Sequence, residues 1–218
     1  MKLIIGNKNY SSWSMRAWLA CKQSGLGFEE ETVALFEDGW EERKTQDDLI
    51  PSAGKVPILW EGDIVVWDSL AIIDWLANKV GHDRFWPSEP EENAMARSLC
   101  AEMHSGLQAI RKQCPMNIKQ QYTDFEPSED TQKDALRIIT LWAEARSRFG
   151  GNGPYLFGTF SAADIMYAPI VSRFRTYGFT LPQFAQSYCD TLLQHSWIET
   201  WYEDSIKEPM IIERFERS

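Results

Sequence analysis

The chain has 218 residues, 44% of them hydrophobic and 13% aromatic, enough to bury a substantial core in one large domain or two modest ones. Its formal charge of -10 at pH 7 and pI near 4.9 argue against phosphate-backbone binding as the main activity, since nucleic-acid affinity rests on clustered lysines and arginines. A pocket that is basic only locally, for a small anion, stays compatible with that balance.

The apolar run Leu3-Ile4-Ile5 is too short for a secretion signal, and no stretch of about 20 apolar residues follows, so the sequence reads as that of a soluble cytoplasmic protein. Residues 3–5 read as a strand, 14–24 as a helix, 29–34 as a second strand and 40–49 as a weaker helix. Gly54-Lys55-Val56-Pro57 then leads into a hairpin turning at Glu61-Gly62-Asp63. Proline brings no N–H to a ladder and so belongs at a strand's first residue or edge. A third helix over 69–79 opens with Asp68-Ser69. Strand, helix, strand, helix, hairpin, helix is an α/β order with a small mixed sheet.

Two prolines and a polar run interrupt helical periodicity at 81–90, the expected linker. Beyond it the pattern is helical: Met95, Leu99, Met103, Leu107 and Ile110 recur at steps of three and four, as do Leu136, Ile139 and Ala143. Phe160-Ser161-Ala162-Ala163-Asp164-Ile165 is a helix start with a capping box, Ser161 and Asp164, and a hydrophobic staple, Phe160 and Ile165. Cys21, Cys100, Cys114 and Cys189 lie far apart without a C-x-x-C, and His82, His104 and His195 are equally dispersed. Reduced, partly buried thiols are expected, with no metal site and no disulfide framework.

Two segments carry chemistry. Gly54 to Ser69 sets a proline at a strand start and an acid–hydroxyl pair at a helix start, an arrangement able to hold a small peptide by its backbone and its charged end. Asn9-Tyr10-Ser11-Ser12-Trp13-Ser14-Met15-Arg16 places hydroxyls where a helix leaves its first N–H groups unpaired and its dipole favours an anion. If that anion were a ligand's thiolate, a serine hydrogen bond of about 1.5 to 3 kcal/mol and a dipole contribution of roughly 0.3 to 2 would lower a thiol pKa near 8.5 by about one to three units. The structural alternative is that Ser11, Ser12 or Ser14 merely caps the helix.

Ser11-Ser12-Trp13-Ser14-Met15-Arg16, Lys55-Val56-Pro57 before a hairpin, Asp68-Ser69 opening a helix and Ser161-Ala162-Ala163-Asp164 in a helical second half together resemble the cytosolic glutathione S-transferases over the whole chain. The serine-type classes are the nearest likeness, zeta-like and related bacterial members whose first helix opens Ser-Ser-Cys-Ser-x-Arg. Ala101-Glu102-Met103-His104-Ser105-Gly106-Leu107, with Ile110-Arg111 and Cys114-Pro115-Met116-Asn117, also resembles a pattern of uncharacterised proteobacterial transferases.

The resemblance implies a thioredoxin-like α/β N-terminal domain (1–80, mixed four-stranded sheet), an all-α C-terminal domain (91–218), glutathione as cosubstrate without a metal, and a homodimer. It makes Ser11 the donor to the glutathione sulfur, with Ser12 and Ser14 less favoured. Val56, before a cis-Pro57, would pair its backbone with the cysteinyl part. Lys55 would meet the glycyl carboxylate or stay a solvated lysine, and Asp68 and Ser69 would take the γ-glutamyl end, Asp68 reading equally as a helix cap. Arg16 would hold the domain interface or strengthen the field at the sulfur. Trp13 stands where the zeta-like pattern has cysteine, which weakens the case for cysteine-centred thiol transfer and, to a lesser degree, for an isomerase role, and leaves the indole to shape the mouth of the site.

The implied electrophile pocket lies between the domains against the helix from 91, with Met103, Leu107 and Met116 as apolar and His104 and Arg111 as polar wall candidates. A methionine stripe at that spacing is more often core than pocket wall. The expected activity is attack of an activated glutathione thiolate on a small hydrophobic electrophile, a detoxification chemistry, with no nucleic-acid or membrane partner. The alternatives are a maleylacetoacetate-type cis–trans isomerase, which needs cations in the pocket such as Arg16 and Arg111, and a non-catalytic ligand- or protein-binding member of the fold.

Overall fold

A computed structural model describes residues 1–217; Ser218, the last residue of the expected second domain, lies outside the described residues. The N-terminal part runs β1 (Lys2–Gly6), α1 (Ser12–Ser24), β2 (Glu29–Val33), α2 (Trp40–Arg43), β3 (Ile58–Glu61), β4 (Ile64–Trp67) and α3 (Ser69–Val80). Its strands form one mixed sheet in the order β2-β1-β3-β4. β1 pairs parallel with β2, Ile4 opposite Glu31, and antiparallel with β3, Leu3 opposite Leu59; β3 and β4 form the hairpin, Glu61 opposite Ile64. Gly62 at its turn has φ +58°, a left-handed conformation that favours glycine. This is a thioredoxin-like sheet.

α1 begins at Ser12, two residues ahead of the expectation, because the Ser11 side chain accepts the Ser14 N–H and caps it; Gly25 in the left-handed region ends it. Met15, Ala17, Leu19 and Ala20 are fully buried, since α1 lies between α3 and a helix of the second half. The weak helix expected over 40–49 shortens to one turn, α2. Chain reversals follow as far as a 3-10 turn at Ile50–Ser52, with Arg43 bridging to Asp48 and Glu31.

Phe85 and Trp86, inside the expected linker, are buried, and the Phe85 carbonyl accepts the Ala162 N–H at 2.8 Å. The second half is helical: α4 (Pro90–Ser105), α5 (Gln108–Gln113), α6 (Glu129–Phe149), α7 (Ala162–Thr176), α8 (Gln183–Leu193) and α9 (Ser196–Lys207). The apolar repeat through Leu107 and Ile110 is not one helix. α4 stops at Gly106, extended at φ -108°, and Leu107 is left-handed at φ +56° before α5 restarts. On α6 the buried stripe is Ala135, Ile138, Leu141, Trp142 and Ala145 rather than Leu136, Ile139 and Ala143; Leu136 is 65% exposed. Trp142 draws that face inward, packing edge-on against Tyr167, Phe174 and Tyr188.

α7 is the central helix of this half and packs on α1 and α4. At its start Asp164 accepts from the Ser161 N–H and hydroxyl at 2.9 Å, from the Leu156 N–H at 3.1 Å and from the Tyr188 hydroxyl at 3.0 Å. The four cysteines are free and buried, more deeply than the partial burial expected. Among the described residues no helix is long and apolar enough to cross a membrane.

Candidate active site

A cavity of about 1060 Å³ opens at the N-terminus of α1. One wall comes from the sheet half: Ser11, Ser12 and Trp13 from α1 and its cap, the run from Pro51 to Pro57, and Asp68. The other comes from the helical half: His104 at the end of α4, Arg111 of α5, Met116 and Arg173 of α7.

The three serines separate into different environments. The Ser14 hydroxyl is fully buried, accepts the Gly6 N–H at 2.9 Å and lies 2.7 Å from the Ser11 hydroxyl, so it ties α1 to β1 and does not line the cavity. Ser11 and Ser12 do line it. Ser11 also accepts the Ser14 N–H at 3.3 Å as the helix cap, while the Ser12 oxygen receives the Arg173 Nη2 at 3.4 Å.

Before β3 the Val56-Pro57 peptide is cis, and among the described residues neither the Val56 N–H nor its carbonyl is paired with other backbone. That leaves a donor and an acceptor for an extended peptide laid beside them. Lys55 is exposed on the rim. Asp68 caps α3, its Oδ1 accepting the Leu70 N–H at 2.9 Å, and stands at φ +75°, a costly backbone for a residue with a Cβ. Its Oδ2 lies 3.3 Å from the His104 Nε2, joining the two halves across the cavity. Ser69 is fully buried outside the lining, and its hydroxyl has no partner.

Trp13 sits between two guanidiniums, Arg16 at 5.1 Å and Arg111 at 5.3 Å, with its edge against His104 at 5.1 Å. Arg16 is fully buried behind it. It bonds the Met166 carbonyl of α7 at 3.0 Å, and its two terminal nitrogens have no partner. Burial pushes Arg16 well below the ordinary arginine range, with Arg111 and Arg173 adding to the effect. Arg16 therefore spans the two halves and is absent from the cavity wall.

Met103 and Leu107 also fall outside the wall, buried in the core; Met116, His104 and Arg111 are on it. Burial lowers Arg111, against a smaller opposing effect of Asp134, and its guanidinium caps the end of α4 on the carbonyls of Met103, His104 and Gly106. Sequence reasoning missed Arg173 and the aromatic rim of Tyr10, Phe36 and Phe215. The capping box announces α7, but nothing local marks Arg173, and the last ten residues carry no periodicity that would have placed Phe215. Among the described residues no group of three or more His, Cys, Asp or Glu side chains is placed to hold a metal ion.

A thioredoxin-like sheet followed by a helical half, with a cavity where the first helix begins, defines a two-part α/β-plus-helical protein. Family models confirm it: the glutathione S-transferase N-terminal domain matches residues 10–79 and the C-terminal domain residues 128–204, together more than half of the chain, which belongs to the glutathione S-transferase family. The chain is 27% identical over 167 residues to glutathione S-transferase L2, chloroplastic, of Arabidopsis thaliana, covering 75% of this chain and 50% of that one. It is 26% identical over 165 residues to maleylacetoacetate isomerase of Rattus norvegicus, covering 74% and 72%. The crystal structure of a glutathione transferase homolog from Burkholderia gl BGR1, with bound glutathione, has the same fold at a TM-score of 0.69 and 19% identity, covering 94% and 97%. The chain spans only 50% to 63% of the length of its first curated relatives.

Proposed function

We propose that the chain binds glutathione in the cavity at the start of α1, lowers the pKa of its thiol and directs the thiolate at an electrophile held against the helical half. The observation that carries this is the meeting, in one cavity, of a helix N-terminus bearing Ser11 and Ser12, the open backbone of Val56, and Asp68 beside buried Ser69. These suit a thiol, a peptide backbone and an amino acid end in that order. Lys55 on the rim suits the glycyl carboxylate. Catalysis would rest on thiolate stabilisation and proximity. The sequence assignment gives the sulfur to Ser11, and Ser12 is the second hydroxyl on the wall.

The serine-type, zeta-like subclass, a detoxification role, a cytoplasmic location and a homodimer belong to the same proposal; a solution mass tests the last. Titration calorimetry with glutathione, followed by conjugation of a chloronitroarene, tests the core of it. Heat of binding and turnover are expected. No heat up to millimolar glutathione overturns it in favour of a non-catalytic binding protein.

A second reading, cis–trans isomerisation of a maleyl-type dicarboxylate, is favoured by the isomerase relatives and by two guanidiniums, Arg111 and Arg173, on the wall. Arg16, one of the two cations the sequence offered for it, lies behind Trp13 and outside the wall. Direct assay of isomerisation separates the two activities.

A further inference from the structure

The Arg173 side chain reaches from α7 across to the first turn of α1 and is 96% withdrawn from solvent, at a relative exposure of 4%. Two of its nitrogens are fixed: Nε donates to the Cys114 carbonyl at 2.8 Å and Nη1 to the Pro169 carbonyl at 3.1 Å. The guanidinium plane is thereby held, and the remaining Nη2 edge faces the Ser12 hydroxyl oxygen at 3.4 Å, a long contact. No carboxylate lies within ion-pairing distance of Arg173 among the described residues. The ionisable groups that face it are Arg111 of α5, Cys114 after it, Tyr177 just past the end of its own helix, and Arg16 of α1. A buried cation without a counter-ion beside a cavity is costly unless an anion arrives to neutralise it.

The valences of the two wall serines differ as well. The Ser11 hydroxyl is spent on Ser14, giving its proton to the Ser14 oxygen and accepting the Ser14 N–H. The Ser12 oxygen accepts from Arg173, and its own proton has no acceptor among the described residues. A hydroxyl that accepts from a cation becomes a stronger donor, because bonds in a chain polarise one another.

We propose that Ser12, rather than Ser11, gives the hydroxyl hydrogen bond to the glutathione sulfur, with Arg173 as the positioning residue that orients and polarises it from the helical half. This rests on the glutathione reading above and deepens it. On binding, the S–H bond breaks, the sulfur keeps the electron pair and the proton leaves to bulk water. Ser12 donates to the resulting thiolate without losing its own proton. Burial, with Arg111 adding to it, brings Arg173 down to about 10, so it remains a cation at neutral pH. The helical half thus supplies the charge and the sheet half the hydroxyl, which makes thiol activation depend on how the two halves are docked.

The test is the pKa of enzyme-bound glutathione, read from ultraviolet thiolate absorbance against pH, in wild type, Ser11→Ala, Ser12→Ala, Arg173→Gln, Arg173→Lys and the double variant Ser12→Ala/Arg173→Gln. Ser12→Ala and Arg173→Gln are each expected to raise that pKa by about one unit, a tenfold loss of thiolate well below the pKa. The double variant is expected to go no further than Ser12→Ala alone, and Arg173→Lys to recover part of the loss. Ser11→Ala is expected to lower the melting temperature and move the thiol pKa by less than a third as much. If Ser11→Ala raises the thiol pKa as far as Ser12→Ala, or if Arg173→Gln adds its full shift in the Ser12→Ala background, the proposal is overturned while the transferase reading stands. Wild type that fails to bind glutathione, or binds it with an unshifted thiol, overturns both. Should Arg173→Gln not fold, the serine pair and Arg173→Lys still decide the matter.

Discussion

Tyr10 and Glu216 are 206 positions apart, and the Tyr10 hydroxyl donates to the Glu216 carboxylate at 2.6 Å. The same oxygen accepts from the Asn117 side chain at 2.8 Å. Glu208 accepts the backbone N–H groups of Lys8 and Asn9, so the segment after α9 is pinned at both ends to the loop that leads into α1. Phe215 is carried onto the cavity rim, where its ring meets Tyr10 at 5.8 Å and Phe36 at 6.1 Å.

Tyr10→Phe removes the donor and keeps the ring. A hydrogen bond to a charged group is worth about 1.5 to 3 kcal/mol, and partial solvent access here brings the expected stability loss nearer 1 kcal/mol. Denaturant unfolding checks that figure. Limited proteolysis is expected to cut after Lys207 faster in the variant; unchanged cleavage would show that Glu208 alone holds the segment.

Ser69 separates stability from binding. Its hydroxyl is buried without a partner, so Ser69→Ala breaks no hydrogen bond of the folded chain and is expected to change stability by no more than about 0.5 kcal/mol. If the hydroxyl meets a ligand carboxylate, the same substitution weakens glutathione binding by roughly 10- to 100-fold. Calorimetric titration and thermal unfolding on one sample read both quantities, and an unchanged dissociation constant would remove Ser69 from the site.

Trp13 holds two guanidiniums apart. Trp13→Ala forfeits two cation–π contacts and an aromatic edge, an expected loss of about 2 kcal/mol in unfolding free energy. Because the ring lines the side of the cavity toward His104 and Arg111, KM for the electrophile should rise by a larger factor than the glutathione dissociation constant. Steady-state kinetics with each substrate varied in turn makes the comparison.

Asp164 sets a pH dependence. Burial pushes its carboxyl up from 3.8 to about 6, against the opposing donors Leu156, Ser161 and Tyr188. An acid whose folded pKa exceeds its unfolded one favours the folded state most below about 4 and loses that contribution as pH rises to about 6. The stability difference between wild type and Asp164→Asn should therefore narrow over this interval, by up to about 3 kcal/mol at 1.36 kcal/mol per unit. Unfolding midpoints at pH 4, 5 and 7 test it, and a difference that widens with pH would reverse the sign.

Much of the fold was legible because its signals are local. The Ser11 cap, Pro57 immediately ahead of β3, the Asp68 cap of α3 and the Ser161–Asp164 capping box are each signals within about four residues, the reach over which backbone donors near a helix end find a side chain. Where the structure departs from that order, contacts from beyond that reach decided. α4 breaks at Gly106 and Leu107 because Arg111 takes the last carbonyls of the turn, and the stripe on α6 lies one position off because Trp142 turns inward to three aromatic rings.

The sequence by itself determined the α/β-then-helical order and which short segments carry polar groups for a peptide ligand, since those follow from spacing and from donors left free at helix starts, and the resemblance of its motifs pointed to the family. Only the tertiary structure decided which of those groups share a cavity. Ser14 turns away to Gly6, Ser12 meets Arg173 from 161 positions along the chain, His104 reaches Asp68, and Phe215 closes on Tyr10. The physical reason is that these contacts are set by how α1 seats on β1 and how α4, α7 and the C-terminal segment dock on the sheet half, a packing outcome that no pattern within a few residues encodes.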